Sequence, residues 1–161
     1  MNIEFEYSFK PISIQDINAF ENKYKCSLPQ DYKQFLLVNN GGKTNKRRKF
    51  KTSDETKEGN IISSIMLFFP LIDNDGVDLE KKYQQYNLGK IIPKNFFPIG
   101  EDPRSNLICM SLDGSDKGSI YHCEMDYFDY LKEGCELEQQ HIRLIATSFS
   151  KFLNSLYEPH S

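Results

Sequence analysis

Leu107-Ile108-Cys109-Met110-Ser111-Leu112, Asp113-Gly114-Ser115-Asp116-Lys117-Gly118 and Ser119-Ile120-Tyr121-His122-Cys123 follow one another without interruption, and the fold is read from them. The outer two are short apolar and β-branched runs. The middle one is Asp, Gly and Ser apart from Lys117, and these residues tolerate the backbone angles of a tight reversal. Together they predict a β-hairpin, entered from Phe96-Phe97-Pro98-Ile99-Gly100 on its N-terminal side.

Working outward from the hairpin, Ile65-Met66-Leu67-Phe68-Phe69 reads as a central strand within residues 61–72, buried on both faces, with Pro70 at its end. Val77, Leu79 and Tyr83 suggest a short helix over residues 78–86. Residues 43–60 are polar and lack a period, which predicts a loop. Near the N-terminus, residues 3–9 alternate apolar and polar as a half-exposed strand does. Ile14, Ile17, Phe20 and Tyr24 lie at helical spacing behind the N-cap candidate Ser13, giving a helix over 14–24. Tyr32, Phe35 and Leu36 give a second helix over 30–39, stopped by Asn39-Asn40-Gly41-Gly42. On the C-terminal side an acid-rich loop leads to Thr147 or Ser148, which caps a last helix carrying Phe149, Phe152, Leu153 and Leu156; Pro159 ends it. Helices at both ends of a set of antiparallel strands predict an α+β fold, and residues 1–161 read as a single domain.

Composition narrows the function. The chain has 161 residues, 39% hydrophobic and 27% charged, with 12 Phe, 9 Tyr and no Trp, enough for a core built on aromatic rings. The net charge of -3 argues against a dedicated nucleic-acid binder. That charge is segregated: residues 43–58 hold seven Lys/Arg against three Asp/Glu, and residues 101–138 hold ten Asp/Glu against three Lys/Arg. The basic run Lys46-Arg47-Arg48-Lys49 reads as a solvated loop face, with no aromatic platform of the RNA-binding kind beside it. Cys26, Cys109, Cys123 and Cys135 make no CxxC pair. The first residues lack the basic and apolar regions of a secretory signal, and no apolar run is long enough to span a bilayer. The expectation is a cytoplasmic protein with no membrane contact.

Catalysis leaves a constellation of residues, and none is found. The sequence has no GxGxxG, GxxxxGK[ST], GxSxG or HExxH. His122 and Cys123 are neighbours on a strand and so point to opposite faces. Asp113 to Glu124 has the end-to-end spacing of a calcium loop, but Lys117 stands at the fifth position, where an oxygen ligand is needed. The expectation is a protein without enzymatic activity, cofactor or metal. What remains is the acidic stretch. Glu101 and Asp102 end a strand, Asp113 and Asp116 sit in the turn, and Glu124, Asp126 and Asp129 follow the return strand, with Tyr127 among them. Like charges at strand ends repel unless a basic partner neutralises them, and aromatic side chains supply contact area at interfaces. These eight residues are the candidate partner-binding set.

Four segments, in order, resemble one known family. Leu28-Pro29-Gln30-Asp31-Tyr32 through Asn40-Gly41-Gly42 is similar to the Leu-Pro-x-Asp-Tyr…Asn-Gly-Gly helix of the SUKH superfamily, the group that includes the yeast cell-wall assembly regulator. Phe97-Pro98-Ile99-Gly100-Glu101-Asp102 through Asn106-Leu107-Ile108 resembles its Gly-Glu-Asp…Gly-Asn-x-Ile strand pair. Gly118-Ser119-Ile120-Tyr121 is similar to its return strand, and Ser148-Phe149 through Phe152-Leu153 to its closing helix. The likeness runs over residues 13–157. One departure stands out: Arg104-Ser105 replace the Gly-Gly that usually precedes the Asn. The resemblance implies a twisted antiparallel sheet with helices packed around it and no shared catalytic residues. For a bacterial member it implies an immunity protein that binds and blocks a cognate toxin, often a nuclease. The alternative it leaves open is an intracellular regulatory scaffold related to the cell-wall assembly regulators, and self-association as a homodimer is open as well.

Overall fold

The computed structural model describes residues 3–57, 59–72, 79–88, 90–125 and 136–159. Its centre is the expected hairpin, β7 (Leu107–Ser111) and β8 (Ile120–Cys123), paired antiparallel from Leu107↔Cys123 to Met110↔Ile120. β6 (Phe96–Glu101) lies on the other side of β7, with a register shift between Pro98 and Gly100. Among the described residues the main sheet has seven strands in the order β1-β2-β5-β6-β7-β8-β9, every neighbouring pair antiparallel. β1 is Phe5–Phe9, β2 Asn40–Thr44, β5 Leu67–Phe68 and β9 Ile142–Ala146. β3 (Arg48–Lys51) and β4 (Ile62–Ile65) form a separate two-stranded sheet. With four α-helices among the described residues, this is a single α+β domain.

α1 (Ile14–Tyr24) forms as its pattern requires. Ser13 and Asp16 make a reciprocal capping box, and Ile17 and Phe20 are buried. α2 (Gln30–Val38) ends at Asn39, and the glycines behind it serve the sheet. Gly42 lies at φ +129 in β2, where an added Cβ would overlap the carbonyl oxygen of Tyr7 in β1. α4 (Phe149–Ser155) is capped by Ser148, whose hydroxyl accepts from the Lys151 N–H. It lays Phe149 and Phe152 into an aromatic core: Phe149 meets Tyr32 and Phe35 at 5.0 Å each, and Phe35 meets Phe68 at 5.1 Å. Each such ring contributes about 1.5–3 kcal/mol of burial, so the excess of Phe is spent here.

Four expectations differ from the structure. The presumed loop at 43–60 contains the end of β2 and the whole of β3. Its period of two is hidden because one inward residue is charged: Arg48 and Phe50 face in at 5% and 0% exposure, while Lys51 faces out. Arg48 Nη1 donates to Glu158 at 2.9 Å, and the Lys49 and Tyr157 backbones bond reciprocally, so the C-terminal segment tethers this strand. The expected continuous strand around Ile65–Phe69 breaks at Met66, which is 46% exposed; β4 and β5 lie in different sheets. The helix expected over 78–86 is α3 (Leu79–Lys82), which runs on as a π-helix over Tyr83–Leu88; Asp78 lies outside the described residues. The presumed loop before α4 contains β9, whose inward and outward residues are all apolar or long-chained and so show no alternation.

Candidate functional site

Five of the eight candidate residues are described, and these divide between the two ends of the β7–β8 hairpin. Asp113 and Asp116 lie in the turn, while Glu101, Asp102 and Glu124 lie at the opposite end, roughly 15 Å away at about 3.3 Å per residue. Asp126, Tyr127 and Asp129 lie outside the described residues.

At the far end the acids serve the fold. Asp102 is 3% exposed. Its Oδ1 accepts the backbone N–H groups of Arg104 and Asn106, both at 2.9 Å. Its Oδ2 accepts from Ser63 Oγ at 3.0 Å and Asn106 Nδ2 at 3.1 Å, and lies 3.0 Å from His122 Nε2. Burial alone would raise this carboxyl, but the hydrogen bonds from His122 and Asn106 outweigh it and hold the group below the usual carboxylate range. Asn106 Oδ1 in turn accepts the Met125 N–H at 2.6 Å. The Glu-Asp…Asn segment is therefore a knot that ties the β6–β7 loop to β4 and β8. Ser105 sits in this loop at φ +64, the left-handed region that glycine occupies more easily. Glu124 forms an ion pair with Arg143 of β9. Glu101 is partly buried, and its carbonyl accepts the Met66 N–H at 2.8 Å.

The turn is different. Asp113 is exposed, and its Oδ1 accepts only a local bond, from the Gly114 N–H at 2.8 Å. Gly114 and Gly118, at φ +89 and +91, make the reversal. Asp116 stands behind them: Oδ1 accepts from Ser111 Oγ at 2.8 Å and Oδ2 from the Tyr121 hydroxyl at 2.6 Å. Tyr121 rises from the middle of β8 on the face it shares with its cross-strand partners Cys109 and Leu144, and its ring stacks on Phe96 at 4.8 Å.

Each turn carboxylate borders its own cavity. Asp116, Asp54, Thr56, Lys57, Tyr121 and Phe96 line one of about 450 Å³. Asp113, Tyr24, Cys26, Tyr83, Lys94 and Leu112 line the other, of about 660 Å³. Asn95 and Phe96 belong to both, so the two form a groove on either side of the acidic turn. The far wall of the first comes from the 53–57 segment, which closes the outer edge of the sheet. The Ser53 N–H donates to the Leu144 carbonyl at 2.8 Å, and the Leu144 N–H donates to Asp54 Oδ2 at 3.0 Å. Burial opposes ionisation of Asp54, but bonds from Thr56 and Leu144 overcome it and lower its pKa. The Tyr121 phenol is raised strongly, by burial first and then by Asp116, with a smaller push from the charge of Asp54. Both carboxylates thus act on the same aromatic ring.

No sequence signal links Asp54, Phe96 and Tyr121; Phe96 reaches Tyr121 by its place in the sheet, and Asp54 by its segment's bonds to Leu144. The remaining chemistry-bearing groups are engaged elsewhere. His122 is 1% exposed, with Asp102 on one nitrogen and the Phe50 ring 5.8 Å away. Cys109 and Cys123 are fully buried, and burial holds the Cys109 thiol well above its usual range, with Cys123 adding to it. Burial also raises Cys26, followed by the charge of Glu21. Among the described residues no three of His, Cys, Asp and Glu gather to hold a metal ion, and no helix is long and apolar enough to cross a membrane.

No curated protein matches the chain. Residues 11–155, almost the whole length over which the four segments were recognised, match the SMI1 / KNR4 family (SUKH-1), and the chain belongs to that family.

Proposed function

We propose that this protein is a non-catalytic protein-binding module of the cytoplasm, an immunity protein that neutralises a cognate toxin. The surface that meets the toxin is the acidic β7–β8 turn with the groove around it. The observation that carries this reading is the placement of Asp113 and Asp116. Of the described candidate acids, these two stand at the groove, and they share it with Tyr24, Tyr83, Phe96 and Tyr121. An exposed carboxylate, Asp113, and a partly exposed one, Asp116, among aromatic rings suit a basic protein surface: the charges steer the encounter and the rings supply buried contact area. A nuclease toxin has such a surface, because its cleft must attract phosphates. Membership of the family supports the reading. The thiols of Cys26, Cys109 and Cys123 are free, as suits a reducing compartment.

The test is neutralisation of the toxin encoded beside this gene by wild type and by Asp113→Lys. Asp113 is exposed, so its reversal leaves the fold intact. The reading requires a weaker neutraliser. Reversal at Glu124 would be uninformative, because it breaks the pair with Arg143.

A further inference from the structure

We propose that the cavity beside Asp116 is a guanidinium pocket, the anchor for one arginine side chain of the protein partner. This rests on the protein-binding reading and goes beyond it by naming the group that is bound. Three features of the cavity converge on a flat organic cation.

The first is the aromatic wall. Phe96 is 5% exposed and lies beneath Tyr121, stacked at 4.8 Å and 22°; the part-exposed Tyr121 ring therefore offers the surface. A guanidinium stacks on such a ring through both its charge and its planarity.

The second is the open acceptor capacity. A carboxylate has about four lone-pair directions. Asp116 uses one on each oxygen, for Ser111 and Tyr121. Asp54 accepts the Thr56 N–H and hydroxyl on Oδ1 and the Leu144 N–H on Oδ2, which leaves the second direction of Oδ2. These bonds fix the carboxylates in place without filling them, so a cation meets prepositioned acceptors.

The third is size and charge. A volume of about 450 Å³ accepts the end of one long side chain. Among the described lining residues, Asp54 and Asp116 against Lys57 leave one net negative charge. One monovalent cation balances it. Two carboxylates without a third ligand do not make a divalent-metal site, and a lysine ammonium would leave the aromatic face and the second acceptor poorly used.

The probe is N-acetyl-arginine amide, which presents one guanidinium without charged termini. It is titrated into the full chain while backbone and Tyr121 ring resonances are followed by NMR. The expected result is saturable binding centred on Tyr121 and Asp116. N-acetyl-citrulline amide, of the same shape without the charge, should show no saturable binding. Asp116→Asn should weaken the arginine probe about five-fold and Lys57→Ala should tighten it about two-fold. Asp116→Asn keeps an oxygen for the Tyr121 hydroxyl, and its fold is checked by amide dispersion. If that variant unfolds, Lys57→Ala decides by the sign of its effect. Absence of saturable binding, equal binding of citrulline, or weaker binding in Lys57→Ala would each overturn the pocket. Those failures are separate from failure of the protein-binding reading: if Asp113→Lys loses the partner while the probe does not bind, the surface stands and the pocket falls.

Discussion

Replacing Asp102 by alanine removes the acceptor of five hydrogen bonds from a site that is 3% exposed. Ser63 Oγ and the Arg104 N–H are only part-buried and recover water, so their loss costs little. The Asn106 N–H, Asn106 Nδ2 and His122 Nε2 are buried and do not. A buried donor left without its acceptor costs about 1–3 kcal/mol. Three of them, in a loop that can partly relax, give a loss of about 4 kcal/mol, a large share of the roughly 5–15 kcal/mol that holds a domain of this size together. Asp102→Asn should cost nearly as much, because either orientation of the amide turns an NH₂ group toward donors. The assay is urea unfolding followed by circular dichroism, extrapolated to water. The pH dependence has a definite sign. The folded-state pKa of Asp102 is depressed, so its ionised form stabilises the fold fully above the unfolded value of about 4 and loses that contribution as pH falls through the folded value. The gap between wild type and Asp102→Ala should therefore narrow below about pH 4. A loss under about 1.5 kcal/mol at neutral pH would refute the reasoning, since it would mean the buried donors find other partners.

Three further outcomes follow from single positions. Ser105→Gly should raise stability by up to about 1 kcal/mol, since Ser105 holds φ +64, a left-handed conformation that glycine adopts without a Cβ penalty; thermal unfolding measures it. Gly42→Ala should lower stability by 3 kcal/mol or more (about that magnitude for a strained core position), because its Cβ would collide with the β1 backbone at Tyr7, and the same unfolding experiment reads it. Arg48→Met should cost about 1 kcal/mol less than Arg48→Ala, because methionine refills the buried stem while the half-exposed Glu158 stays hydrated in both; paired urea titrations compare them.

The elements whose residues carry an unbroken pattern were legible in the sequence. α1 has its apolar stripe and capping box within 14–24, and the hairpin has its turn residues flanked by apolar runs. β3 and the break between β4 and β5 were missed for one physical reason, a residue whose type does not match its burial. Arg48 conceals β3 because a buried guanidinium interrupts the alternation. Met66 conceals the break between β4 and β5 because an apolar residue sits exposed. At the candidate site the two turn acids were legible as turn residues, since Asp belongs to a Gly-rich reversal by local rules. The burial of Asp102 was not legible. Besides the local donors Arg104 and Asn106, its Oδ2 meets Ser63 and His122, each far away in sequence, and these distant contacts that bury it leave no local mark. Asp54 joins the groove through Leu144, across 90 residues of chain.

The most direct test of the central claim, that the acidic turn is the surface that meets a basic toxin, is the dissociation constant of the purified pair. It should be measured for wild type and for Asp113→Lys by isothermal titration at one fixed ionic strength. A reversed charge at a complementary surface should weaken the complex about ten-fold or more, with the unfolding midpoint of the variant unchanged. An affinity equal to wild type within about two-fold would contradict the claim and move the binding surface away from the β7–β8 turn.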